Sequence, residues 1–216
     1  MEIAELLIEP TIETIYMVFV ATFIATIFGI PLGILLMVTD KEQILQSSPI
    51  NNVLSTIVNV FRSIPFIILL FLLIPFTRFL VGKAIGTTAS IVPLSIAAIP
   101  FMARLTETAL REVDKGIIEA AQSVGASPFQ IISKVLLPES LPSIVAGITI
   151  TNINLVGYSA MAGAMGGGGL GDLAVRYGFQ RFQLDVMIYT VIVLVVMVQL
   201  TQAVGDLIVN QIARYR

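Results

Sequence analysis

The sequence predicts an all-α integral membrane protein in which five helices span the bilayer. Of its 216 residues, 56% are hydrophobic and only 12% are charged, and the mean hydropathy is +0.96. Soluble domains, by contrast, are about one quarter charged. Five stretches each hold about 20 mostly apolar residues, the length that a helix needs to cross the hydrocarbon core. Polar, glycine-rich or proline-containing segments separate these stretches.

The composition also excludes several classes of function. The net charge is −2 and the basic residues are scattered, so we expect no nucleic-acid surface. The chain has no cysteine and no histidine, which excludes disulfides, thiolate chemistry and histidine-based metal sites or catalysis. We therefore predict no catalytic residue and no metal site. The first 14 residues hold four glutamates and no basic residue, so we expect no cleaved secretory signal.

The first two predicted spans carry different residue features. The first covers residues 15–38 and contains Gly29 and Gly33. This spacing of small residues allows another helix to approach closely. The second span covers residues 57–76, and Arg62 lies near its start.

The third predicted span covers residues 89–109 and ends in a charged cluster. Glu107 is three residues from Arg104 and four from Arg111, so one helical face brings the three side chains together. We interpret this trio as a structural ion-pair cluster near the lipid headgroups.

The fourth predicted span, residues 143–165, follows Pro142, and the fifth covers residues 186–209. A glycine run at residues 166–169 lies between them. It lacks the Gly-x-x-x-x-Gly-Lys-Ser/Thr pattern of a phosphate-binding loop, so we expect ATP to be hydrolysed by another subunit. We interpret the run as a flexible outer turn. The five spans together form one predicted domain, residues 1–216.

The orientation follows from the basic residues, which are more abundant in cytoplasmic loops. Five spans place eight basic residues on one side and four on the other. The richer side is predicted to be cytoplasmic, which puts the amino terminus outside and the carboxyl terminus inside. The eight are Lys41, Arg62, Arg104, Arg111, Lys115, Lys134, Arg214 and Arg216; the four are Arg78, Lys83, Arg176 and Arg181.

Residues 112–138 form a predicted cytoplasmic loop between the third and fourth spans. Its first helix covers residues 117–124, and Gly125 can end it in a left-handed conformation. Ser127, followed by a proline, is a start signal for a second short helix. We expect that helix to end at Pro138. The small residues of the loop would let another protein approach closely.

This loop resembles the EAA signature of permease subunits in bacterial ATP-binding-cassette importers. The matching residues are the Glu-Ala-Ala triplet at 119–121, then Gly125, and Val-Leu-Leu-Pro at 135–138. The family usually has isoleucine where this chain has Val135. The resemblance implies a coupling helix that docks in a groove on the ATPase subunit. The residues that it assigns to this contact are Glu119, Ala120, Ala121, Gly125 and Pro128.

A narrower resemblance, to the methionine-importer permeases of this family, covers residues 58–70, 74–78 and 155–171. It implies a homodimer paired with two ATPase subunits, which bind the ATP and magnesium, while this chain binds no cofactor. It also implies a lipid-anchored, extracytoplasmic methionine-binding protein as a partner. The substrate would be L-methionine, D-methionine or both.

Five side chains of the fourth span recur at spacings of 3, 4, 3 and 4, which places them on one helical face. Polar side chains on such a face either bond across a helix interface or line a water-filled path. In the context of the resemblance we favour a path for a small amphipathic solute, with Ser159 beside it. The five are Thr151, Asn154, Tyr158, Met161 and Met165.

The predicted function is therefore import across the bacterial inner membrane by alternating access, without covalent chemistry in this chain. Within importers, a permease for another small amino acid or amine is the alternative. An ion-coupled secondary carrier, a membrane enzyme and a scaffolding membrane protein are the rivals from other classes. The first is disfavoured by the odd number of spans, and the second by the missing histidine, cysteine and clustered carboxylates. The third leaves the signature loop unexplained.

Overall fold

The computed structural model describes residues 3–214, and every regular element in this range is helical. Three π-helical segments, Ile132–Leu136, Gly163–Gly167 and Ala174–Phe179, connect some of the α-helices. The α-helices are α1 (Ile3–Val38), α2 (Ser48–Ser63), α3 (Phe66–Leu72), α4 (Ile74–Val81), α5 (Thr87–Arg111), α6 (Lys115–Ser123), α7 (Pro128–Ile131), α8 (Leu137–Ala162), α9 (Gly169–Leu173) and α10 (Leu184–Arg214).

Within residues 3–214, four helical stretches are long and apolar enough to cross a membrane, and a fifth is formed if α2 and α3 count as one bent span. This confirms the predicted all-α membrane fold. The spans assigned to α5 and α10 agree with the sequence to within a few residues. Helix α1 begins at Ile3 and has 36 residues, so it is about 54 Å long. It therefore extends well beyond the roughly 30 Å hydrocarbon core.

The predicted second span, residues 57–76, is bent: α2 and α3 meet at an angle of 102°. Proline disfavours the helical conformation of the residue before it. Ile64 accordingly has φ −81° and ψ 121°, and α2 ends at Ser63. Pro65 then precedes α3, and a second break at Leu73 starts α4.

Helices α1 and α5 pack together through the two glycines that the sequence singled out. A Cβ atom on Gly29 would lie 2.7 Å from the Cβ atom of Met102, and one on Gly33 would lie 2.5 Å from the carbonyl oxygen of Ala103. Both separations are shorter than van der Waals contact, so only glycine fits. The predicted close helix approach is confirmed, and α5 is the partner.

Helix α8 packs against α1 and α5, and α10 packs against α8. The buried side chains between α1, α5 and α8 include Met17, Leu94, Met102 and Leu155. Helix α10 lies at the outside of the bundle, where only three of its residues are buried. Its exposed apolar side chains are those expected of a lipid-facing surface.

The bundle has two ends, which we name by their connections. The loop end is where α1 and α5 terminate and where α6 lies, and the turn end is where the glycine run connects α8 to α9. A carboxylate of α1 ties the turn end together. The Oε2 atom of Glu13 accepts a 2.6 Å hydrogen bond from the Gly169 amide, and its Oε1 atom accepts one of 3.0 Å from the Thr87 hydroxyl.

The glycine run is a close-packed turn rather than the flexible one expected from its composition. Gly166, Gly168 and Gly169 have φ values of +87°, +77° and +72°, which favour glycine. A Cβ atom on Gly167 would lie 2.4 Å from the Ser90 hydroxyl. The flexible turn was expected because glycine can adopt many backbone conformations. In the structure, the glycines instead adopt fixed left-handed conformations that let the turn pack closely against α1 and α5.

Candidate functional site

The short connection between α5 and α6 ends in a helix cap. The Asp114 carboxylate accepts a 2.6 Å hydrogen bond from the Gly116 amide at the start of α6. The buried side of α6 is small, because Ile118 and Ala121 pack against an apolar cluster that includes Leu110 and Leu136. This cluster holds α6 against the loop end of α5 and α8.

Gly125 ends α6 as the sequence predicted. Its φ is +80°, and two backbone hydrogen bonds close the turn: Ala126 N–H donates to the carbonyl of Ala121 at 3.1 Å, and Gly125 N–H donates to that of Gln122 at 2.9 Å. This pair of bonds is the Schellman motif, which requires a left-handed residue at this position. The turn therefore depends on glycine for its geometry.

The predicted helix start at Ser127 is also confirmed, and it is a complete capping box. The Ser127 hydroxyl accepts from the Gln130 amide at 3.3 Å, while the Gln130 side chain accepts from the Ser127 amide at 2.8 Å. Pro128 occupies the first helical position, where its missing N–H costs nothing.

The helix that starts at Pro128 does not end at Pro138, which corrects the sequence prediction. It continues through the π-helical segment Ile132–Leu136 into α8. A proline in a helix interior lacks an N–H and its ring meets the carbonyl four residues earlier. The wider π turn directly before Pro138 supplies the room for that ring. One continuous helix therefore connects the loop to the fourth span.

The loop presents an exposed surface made of small and apolar groups. Val124 is 83% exposed and Phe129 is 77% exposed. Of the five residues assigned to a coupling contact, four are exposed and Ala121 is partly buried against the cluster below α6. The exposed four are Glu119, Ala120, Gly125 and Pro128.

The predicted ion-pair trio is present, and it belongs to a larger network than the sequence indicated. Glu107 accepts from Arg104 at 2.6 Å and from Arg111 at 2.8 Å. Arg111 also donates to Asp40 at 2.5 Å, and this hydrogen bond lowers the pKa of the Asp40 carboxyl below its ordinary value. Arg104 reaches across to Asn59 of α2 at 2.8 Å.

The network joins α2 and α5 to the segment that directly follows α1. Sequence spacing identified the pairs within α5, whereas Asp40 and Asn59 are 71 and 45 residues from their arginine partners. No periodic signal connects positions so far apart.

The predicted solute face of α8 is only partly exposed. Asn154, Met161 and Met165 are exposed, and Tyr158 is half-buried. The Tyr158 ring stacks on Phe66 of α3 with a centroid distance of 4.6 Å. Asn154, Tyr158 and Met161 are therefore accessible along α8. Met165 lies beyond the end of α8, in the segment Gly163–Gly167, where its φ of −98° and ψ of 17° break the helix. The single helical face predicted from the sequence thus does not extend to Met165.

Thr151 and Ser159, the other two predicted path residues, are buried. The Thr151 hydroxyl donates to the Gly147 carbonyl at 2.8 Å and lies 3.5 Å from the Met102 sulfur. The Ser159 hydroxyl donates to the carbonyl of Val156 at 2.7 Å. Both hydroxyls bond within their own helix, so neither lines the accessible face in this structure.

A cavity of about 230 Å³ lies beside Tyr158, between α2, α3, α5 and α8. Four aromatic rings line it: Phe61, Phe66, Phe101 and Tyr158. Sequence reasoning missed this cavity, because the three phenylalanines lie on three different helices. The bend after α2 brings two of them together.

Arg62 also borders the cavity, although the sequence placed it in the richer group of basic residues near a loop. It lies in the last turn of α2, at the far end of that helix from the loop end. Without it the split of basic residues is seven against four, which still favours the same orientation. Arg216, another member of that group, lies outside the described residues.

Three comparisons with known proteins bear on this arrangement. Residues 29–215 match the family of binding-protein-dependent transport system inner membrane components, and the chain belongs to this family. This confirms the resemblance identified in the EAA loop. It also makes the chain a membrane transport component.

Individual relatives match over nearly the whole chain. The "Probable D-methionine transport system permease protein MetI" of Vibrio cholerae is 53% identical over 97% of this chain and 93% of its own length. The "Methionine import system permease protein MetP" of Bacillus subtilis is 48% identical over 94% and 91%.

The fold matches a solved structure described as inward facing conformations of the MetNI methionine ABC transporter. The TM-score is 0.91 at 50% sequence identity, with 93% of each chain covered.

Proposed function

We propose that this chain is the permease subunit of an ATP-driven methionine importer and provides the translocation path for L-methionine, D-methionine or both. The observation that carries the proposal is the exposed, glycine-capped α6 turn, joined by one continuous helix to the aromatic-lined cavity. The methionine transport permeases that match at about 50% identity support the substrate.

The proposed assembly contains two copies of this chain, two ATPase subunits at the loop end and a methionine-binding lipoprotein at the turn end. ATP and magnesium are bound by the ATPase subunits. The loop end is cytoplasmic, which puts the amino terminus outside and the carboxyl terminus inside. The ratio of basic residues supports this orientation.

The coupling contact consists of the exposed α6 surface and the turn at Gly125. The residues proposed for it are Glu119, Ala120, Ala121, Gly125 and Pro128. A helix laid in a groove of a partner transmits rigid-body motion to the spans attached to it. The partner can shift the balance between outward-facing and inward-facing states only if its contacts with the two states differ.

The solute path is proposed to follow the accessible side of α8. Tyr158 and Met161 lie nearest the solute, with Asn154 on the same helix and Met165 in the turn that follows it. A phenol and a thioether suit an amphipathic solute, because both combine apolar surface with a polarizable or hydrogen-bonding group. Thr151 and Ser159 support this wall from the buried side.

The test is co-purification after mild detergent extraction, followed by reconstitution with the co-purified ATPase and the binding protein. Uptake of radiolabelled methionine should require ATP and should not respond to a sodium or proton gradient. Uptake driven by an ion gradient without ATP would contradict the proposal and indicate a secondary carrier. ATP-dependent uptake of another amino acid or amine, but not of methionine, would keep the importer and overturn the substrate.

A further inference from the structure

Arg62 lies inside the membrane-spanning part of the bundle rather than at its loop end. Ala97 and Phe101, which line the same cavity, are each ten residues from an end of α5, or about 15 Å along its axis. The hydrocarbon core is about 30 Å thick. This part of the cavity wall is therefore level with the middle of α5, within the membrane-spanning part of the bundle.

The contact between α2 and α5 places Arg62 at the same level. Arg104 of α5 donates to Asn59 of α2, and the two helices run in opposite directions. Arg62 is three residues beyond Asn59, and Phe101 is three residues before Arg104. Because the helices are antiparallel, moving three residues along each from the Asn59–Arg104 contact brings Arg62 level with Phe101. Both residues line the cavity.

Arg62 has no carboxylate partner among the described residues, where no hydrogen bond or ion pair involves its side chain. A cation at this depth is costly and pairs with an anion or borders a polar cavity. On α5 the acidic residue is Glu107, which already accepts from Arg104 and Arg111. The other acidic residues of the long helices lie towards the helix ends. A second copy of the chain offers the same groups and hence no acid at this depth.

We propose that Arg62 binds the carboxylate of the transported amino acid, while Phe66, Phe101 and Tyr158 hold its apolar side chain. This proposal rests on the importer function proposed above and names the recognition chemistry of its path. A guanidinium is planar and can donate two parallel hydrogen bonds to a carboxylate. A thioether packs favourably at the edge of an aromatic ring. The cavity combines these two features in one place.

The ligand class that follows is an α-amino acid with an unbranched apolar or thioether side chain. A cavity of about 230 Å³ is large enough to hold such a molecule and is small for a lipid or a peptide. The stacked Phe66 and Tyr158 rings form a flat wall, and Arg62 faces the same space. A neutral solute would leave the cation without a partner.

The experiment uses the permease–ATPase complex in lipid nanodiscs and a diazirine analogue of methionine that keeps the free carboxylate. After irradiation, labelled peptides are mapped by mass spectrometry. We expect labels in the peptides that contain Phe66, Phe101 or Tyr158. Excess methionine should compete, whereas methioninamide, whose carboxylate is replaced by a neutral amide, should compete about tenfold less or worse, as expected for the loss of a charge-assisted hydrogen bond.

The variants are Arg62→Gln, Arg62→Lys and a control, Arg78→Gln. Arg78 is exposed on α4, so the Arg78→Gln substitution removes one positive charge at a position away from the cavity. Arg62→Gln should reduce labelling of the cavity peptides about tenfold or more and should abolish the preference for methionine over methioninamide. Arg62→Lys should keep part of the preference, because lysine keeps the positive charge but cannot donate two parallel hydrogen bonds to a carboxylate. Arg78→Gln should match the wild type.

Equal labelling in wild type and Arg62→Gln, equal competition by methioninamide, or no cavity labelling in a complex that imports methionine would each overturn the proposal. A variant that fails to assemble is identified by its size-exclusion profile, and the wild-type competition with methioninamide then decides. Methionine uptake by the wild-type complex is measured in parallel. Failure of that uptake counts against the importer function, whereas intact uptake with unchanged labelling counts against the role of Arg62 alone.

Discussion

Gly33 of α1 faces Ala103 of α5 so closely that an added Cβ atom would lie 2.5 Å from the Ala103 carbonyl oxygen. The neighbouring Thr106 side chain closes the same space, with its Cβ atom 2.6 Å from that position. Neither the backbone carbonyl nor a β-branched side chain in a helix can move aside readily. The two helices are therefore held at a separation that only glycine permits.

Gly33→Ala should destabilise the purified permease by about 1–3 kcal/mol, because the extra methyl group forces α1 and α5 apart. The measurement is the thermal unfolding midpoint in detergent. Gly157→Ala is the matched control, since a Cβ atom there has nothing within 4 Å. The control should be neutral or more stable by about 0.5–1 kcal/mol. Equal midpoints for Gly33→Ala and wild type would contradict the close packing.

Gly125→Asp should reduce ATP hydrolysis coupled to transport while the spans remain folded. The φ of +80° strains any side chain, and a charged group would also protrude into the proposed ATPase groove. Gly82→Asp is the control, because Gly82 has φ +76° and equally open surroundings but caps α4 at the turn end. Both variants should lose similar stability, about 1 kcal/mol. Only Gly125→Asp should lose the ATPase on size-exclusion chromatography; an intact, coupled Gly125→Asp complex would refute the coupling role.

Phe129→Ala should weaken association with the ATPase about tenfold to a hundredfold, because Phe129 is 77% exposed in this chain and its burial in a partner is worth roughly 1.5–3 kcal/mol. The affinity is measured by titrating the ATPase into the permease in nanodiscs. Phe79→Ala is the control, since Phe79 is 86% exposed and lies in α4, away from the loop. If both variants bind like the wild type, the exposed ring is not a contact.

Tyr158→Ala and Met161→Ala should lower the initial rate of methionine uptake or change the preference among amino acids, with normal protein levels in the membrane. Tyr158→Phe should have a smaller effect, because it keeps the ring that stacks on Phe66 at 4.6 Å. Thr151→Val should change stability rather than uptake, since the Thr151 hydroxyl bonds within its own helix. Unchanged rate and preference in both alanine variants would remove this face of α8 from the path.

The parts of the site that could be predicted from sequence are those determined by neighbours in the chain. The left-handed Gly125 and the cap at Ser127 depend on a few adjacent residues, and both are confirmed. The pairs from Glu107 to Arg104 and Arg111 depend on helical spacing alone. Such local rules need no knowledge of which helices later meet.

Other features depend on the tertiary fold and were not predictable from pattern. The bend at Pro65 divides a stretch whose composition is that of one span, and it moves Arg62 from the surface into a cavity wall. The π turn before Pro138 removes the expected helix end. Thr151 shares a helical face with Tyr158, but the position of Met102 on α5 decides that the threonine is buried. Periodicity identifies a face, whereas its neighbours determine whether solvent or solute can reach it.

The continuous helix from Pro128 to Tyr158 has a mechanical consequence. It contains 31 residues and is about 45 Å long, and the Gly125 turn lies directly before its loop end. A tilt of about 5° pivoting at the loop moves the Tyr158 end by about 4 Å, close to the thickness of an aromatic ring and its contact layer. A small rotation of the loop by a partner would thus be amplified at the stacked rings of Phe66 and Tyr158.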